Sequence, residues 1–181
     1  LILLTLLNFI GPHIVIRSEN SFNLIKMAIL FAFIAAGLVL PGHFSRIEPA
    51  SWVPPLPLIA GAMVIFLNYE GFELIANASP QARNPQRSLP FAYLGGVSIV
   101  ILFYVLIAAV VLGHMSFAAI HAHSDSVLSA AAWALGGNVG KLLLIIAALV
   151  ATSSAINATF YGSGRLTYLI AKYGELPTAF E

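Results

Sequence analysis

Apolar runs and short polar clusters alternate along the 181 residues, and five of the runs are too long for buried strands. They cover residues 1–16, 24–40, 56–78, 89–113 and 139–162, with prolines, turn residues and most charges between them. A helix rises about 1.5 Å per residue, so about 20 residues cross the roughly 30 Å hydrocarbon core of a bilayer. The pattern therefore predicts helices on the scale of a membrane. The first run is short for a crossing and opens at Leu1 without an initiator Met or a basic leader, which predicts a helix that starts upstream. The second interrupts its apolar residues only with Lys26 and stops at Pro41-Gly42. The fourth has Pro90 near its expected first turn, where a missing N–H costs little. Two shorter helices are expected on the membrane surface, at 125–135 with Ser124-Asp125 as cap and at 163–174.

Composition fixes the class. Charged residues are 8% of the chain, about a third of the roughly 25% of soluble domains, and apolar residues are 60%. So few charges cannot furnish a water-facing surface, and the expected fold class is all-α membrane. A net charge of +1, with basic residues spread singly, argues against nucleic-acid binding. There is no cysteine for a disulfide or thiolate site, and no phosphate loop or dinucleotide fingerprint, so no metal or cofactor is expected. Arg17, Lys26, Arg83, Arg87, Arg165 and Lys172 flank one set of links and Arg46 and Lys141 the other, six against two. That bias places the C-terminus in the cytoplasm of a multi-pass protein, most simply in the cytoplasmic membrane, with the links after the second and fourth runs outside.

Two runs carry chemistry. The third reads Asn68-Tyr69-Glu70-Gly71-Phe72-Glu73 at its middle, where each ionisable group costs about 2.5 to 3.5 kcal/mol on insertion scales unless it meets a cavity or partner. Gly71 lowers helix propensity by about 1 kcal/mol and Asn68 offers the backbone a competing bond, so a broken helix is expected. A break at the midplane frees amides and carbonyls that a polar substrate or ion can satisfy; a kink with paired or protonated carboxylates is the plainer alternative. The fifth run carries Thr152, Ser153, Ser154 and Asn157, hydroxyls and an amide that bond either to their own helix or to a ligand. Lys26 alone reads as a snorkelling side chain, and Trp52 and Trp133 as interface anchors.

In chain order these residues resemble the amino acid/polyamine/organocation permease family. The resemblance rests on Tyr69-Glu70-Gly71-Phe72-Glu73-Leu74-Ile75-Ala76-Asn77, on Arg83-Asn84-Pro85-Gln86-Arg87-Ser88-Leu89-Pro90, and on Ala151-Thr152-Ser153-Ser154-Ala155-Ile156-Asn157-Ala158 running on to Gly162-Ser163-Gly164-Arg165 and Gly174-Glu175-Leu176-Pro177. It implies part of a two-times-five inverted-repeat transporter fold, from the end of the fourth helix to the eighth, with a broken central sixth helix. It assigns substrate contact to Phe66, Asn68, Tyr69, Glu70, Gly71 and Phe72, and proton coupling to Glu73 and Lys26. Ser153 and Ser154 match the eighth-helix side of a site that holds a cation in sodium-coupled relatives. The partners it implies are a small amino acid or polyamine, the lipid bilayer and the remaining helices of a full-length transporter. Proton-coupled or exchange transport is the expected function. The alternatives are an inactive structural fragment and a membrane-embedded enzyme using Glu70, Glu73 and His114 as acid and base.

Overall fold

In the computed structural model, which describes residues 12–49, 52–69, 71, 74–77 and 82–177, the chain is helical and has no strand among those residues. Pro12 opens helix α1 (Pro12–Val39), which runs through residues 17–23 without interruption. The sequence reading places a link there, yet those seven residues contain neither proline nor glycine, so nothing in the backbone chemistry forces a break. Lys26 consequently lies inside a helix rather than beside a link. A short 3-10 turn, Phe44–Ile47, follows.

Helix α2 (Pro55–Phe66) starts with proline in its first turn and passes into a 3-10 turn at Leu67–Tyr69. Gly71 has φ +99, and one helical turn, α3 (Leu74–Asn77), comes after it. The third apolar run is therefore a broken helix. Helix α4 (Pro85–His114) begins four residues ahead of the predicted start, because the Asn84 carbonyl receives the N–H groups of Arg87 and Ser88 and the Ser88 hydroxyl. Pro90 thus sits inside the helix, where it removes the bond its N–H would donate to the carbonyl of Gln86.

The Ser116 hydroxyl caps α5 (Phe117–Ala122) by accepting from the Ala119 N–H at 3.2 Å. The span α6 (Val127–Lys172) is two helical pieces divided where Gly136 (φ −132) and Gly137 (φ 59) leave helical geometry, and the second piece continues through Gly162 and Gly164. Each of those glycines weakens a helix by only about 1 kcal/mol, less than the intact backbone ladder resists. Among the described residues, three helical stretches are long and apolar enough to cross a membrane: Asn20–Val39, Pro85–His114 and Val127–Lys172, with a shorter apolar piece at Pro55–Tyr69. Only 11 to 17% of their most apolar windows is buried within the chain, so lipid or further helices must cover the rest.

The chain forms two compact units, one holding residues up to Ile47 and Leu106–Phe160, the other Glu48–Val105 and the residues from Tyr161. The first has the clearer core: Phe33 and Ile34 of α1, Val110 and Val111 of α4, and Ala131, Ala132, Leu144 and Ala147 of α6 are all buried. Gly37 lets α1 reach Val110, whose methyls would overlap any Cβ at that position. Ala131 and Ala132 belong to the stretch expected on the membrane surface; their small side chains pack into this core while Leu128 and Trp133 remain exposed.

Candidate functional site

The broken helix in the second unit gathers four of the residues singled out from the sequence. Phe66 ends α2 with its ring exposed, and Asn68 and Tyr69 occupy the 3-10 turn. A 3-10 turn followed by a positive φ leaves main-chain groups that no continuing helix satisfies. The Asn68 carbonyl instead accepts from the Tyr104 hydroxyl of α4 at 3.3 Å, and the Tyr69 ring meets the Tyr104 ring edge-on, with centroids 5.3 Å apart and planes at 61°. Gly71 is half-buried, and no side chain lies where its Cβ would be, so its φ of +99 is the reason glycine suits the position. Glu70, Phe72 and Glu73 lie outside the described residues.

Of the coupling candidates, Lys26, Ser153 and Ser154 fall in the first unit. Lys26, half-buried, lines a cavity of about 690 Å³ with Leu30 of α1, Ser124 and Asp125 ahead of α6, and Ala148 and Thr152 within it. The lysine thus faces a mostly apolar space shared with the α5–α6 link. The Thr152 hydroxyl donates to its own helix at the Ala148 carbonyl, 2.9 Å away. Ser153 is half-buried and Ser154 buried; neither lines that cavity. Asn157 is buried one turn beyond Ser154 on the same face.

Three side chains take roles that spacing alone did not disclose. Tyr104 has the broken helix as its partner, and its one sequence signal is a polar-tipped ring amid the apolar fourth run. Arg46 donates to the Leu112 and Met115 carbonyls at the end of α4. His114 Nε2 lies 2.8 Å from the Gly37 carbonyl with its ring edge-on to Phe44. His114 is thus engaged in packing α1 against α4.

The family described as Amino acid permease matches residues 1–181. The chain belongs to the amino acid permease family. It is accordingly a multi-pass integral membrane protein. An uncharacterized protein of Methanocaldococcus jannaschii is 38% identical over 98% of this chain and 41% of its own length. The inner membrane transport protein YbaT of Escherichia coli is 34% identical over 96% of this chain and 40% of its own length. The methylthioribose transporter of Bacillus subtilis is 26% identical over 91% and 35%. This permease chain spans about two fifths of the length of the first two of these relatives.

Proposed function

We propose that the chain is the part of a secondary active transporter that carries half of a substrate site and a proton-responsive lysine, moving an amino acid or related organic cation by proton coupling or exchange. The observation that carries this reading is the helix break at Leu67–Tyr69 and Gly71 within an apolar segment of an amino acid permease. Open backbone at membrane depth is tolerated where it lines a cavity or binds a ligand. In this reading the freed main-chain groups and Glu70 hold the substrate ammonium, Asn68, Tyr69 and Gly71 shape the site, and Phe66 and Phe72 pack against the substrate. Glu73 responds to protons on the same segment.

Lys26 supplies the charge that a coupling cation supplies elsewhere, and losing its proton removes that charge. Support comes from its half-buried place in a cavity that Thr152 also lines. The C-terminus is cytoplasmic, the membrane is the cytoplasmic one, and the protein is a carrier rather than an enzyme. Transport requires the remaining helices of the full-length protein.

The test is uptake of radiolabelled amino acids, polyamines and methylthioribose into proteoliposomes containing the full-length protein, with and without an inward proton gradient, beside Lys26→Ala and Glu73→Gln. Saturable uptake that the gradient stimulates and Lys26→Ala abolishes supports the proton-coupled form. Uptake that ignores the gradient but needs internal substrate supports exchange and removes the role of Lys26. Absence of uptake for the whole panel refutes the substrate class.

A further inference from the structure

We infer that Tyr104 is a positioning residue for the substrate site, a latch from α4 that fixes the open backbone of the broken helix. Where a helix stops, its last carbonyls lose their partners, and a carbonyl that turns freely makes a poor ligand for a substrate. The Asn68 carbonyl has a partner: the Tyr104 hydroxyl donates to it at 3.3 Å. The same ring closes edge-on against Tyr69, the neighbouring residue, at 5.3 Å. One side chain therefore holds two successive residues of the 3-10 turn, by a hydrogen bond to the main chain of one and a ring contact to the side chain of the next.

The turn lies two residues before Gly71, whose φ of +99 is outside the helical region. Fixing Asn68 and Tyr69 restrains the open backbone on the approach to Gly71. Tyr104 is 36 residues from Asn68 along the chain, so this restraint is tertiary and acts only when α4 packs beside the break. With its hydroxyl already committed to Asn68, Tyr104 acts through the backbone and not as a substrate contact. This inference rests on the reading of the break as the substrate site.

The experiment uses the full-length protein in proteoliposomes with Tyr104→Phe, which keeps the ring and loses the hydroxyl, and Tyr104→Leu, which loses both. A hydrogen bond of ordinary net strength corresponds to roughly a two- to tenfold change, so Tyr104→Phe is expected to raise KM about that much with kcat nearly unchanged. Tyr104→Leu is expected to raise it further. A second readout needs no transport. Asn68→Cys, in a background without other cysteines, is labelled by a cationic methanethiosulfonate, and its labelling is expected to quicken when Tyr104→Phe is added. Unchanged KM and unchanged labelling overturn the latch. If the wild type takes up no panel member while Tyr104→Phe still quickens labelling, the latch stands and the substrate assignment falls; if labelling is also unchanged, both fall. An equal fall in kcat for both variants with no change in KM points to a merely structural tyrosine and also overturns it.

Discussion

Arg46 donates a hydrogen bond to the carbonyl of Met115 at 2.7 Å, from a position 69 residues earlier in the chain. The same nitrogen reaches the Leu112 carbonyl at 3.1 Å, and the His43 N–H bonds the Gly113 carbonyl at 2.7 Å. The last turn of α4 thus receives its missing donors from the link after α1, and a cation there also suits the negative end of the helix dipole. Replacing Arg46 by Met keeps most of the stem but leaves those carbonyls without their donor. The expected loss is about 1 to 3 kcal/mol, read as a lower unfolding midpoint of the full-length protein in detergent.

Gly37 packs against Val110, whose methyls occupy the place a Cβ at residue 37 would need. Gly37→Ala forces α1 away from Val110, with an expected cost of about 1 to 3 kcal/mol for overpacking. Val110→Ala removes the two methyls a new Cβ would meet, so the double variant Gly37→Ala/Val110→Ala should be more stable than the sum of the single losses predicts. A double-mutant cycle on thermal midpoints checks this coupling.

Gly71→Ala meets no neighbour, so its effect is purely conformational. An alanine at φ +99 costs about 1 to 3 kcal/mol, and the backbone is expected to relax toward negative φ. The variant should still elute as a monodisperse protein while its KM for the transported substrate rises. An unchanged KM in saturation uptake would separate Gly71 from the substrate site.

Polar residues of α6 divide by face. Ser154 and Asn157 are buried, whereas the Thr152 and Thr159 hydroxyls donate to the carbonyls four residues before them, Ala148 at 2.9 Å and Ala155 at 3.0 Å. Thr152→Val and Thr159→Val lose only a local bond and should leave the unfolding midpoint close to wild type. Asn157→Leu puts an apolar branch on a buried polar face and is expected to cost about 1 to 3 kcal/mol, measured in the same melt.

The sequence by itself determined that this protein lives in a bilayer, because 60% apolar and 8% charged residues in runs longer than strands have no other stable solvent. It also determined the broken helix, since Asn68 and Gly71 weaken a helix locally whatever surrounds them. Residues 17–23 went the other way: their polarity suggested a link, but polarity alone does not stop a helix, and α1 runs through. Only the tertiary structure decided the partners. Arg46 reads as a flanking charge and becomes the cap of α4; Lys26 reads as a snorkelling side chain and lines a cavity; Tyr104 reads as one more aromatic and holds Asn68. The Arg46, His114 and Tyr104 contacts join residues 36 to 77 positions apart. Periodicity and propensity act over a turn or two of helix, whereas contacts at such separations exist only after the helices pack and close the chain between them.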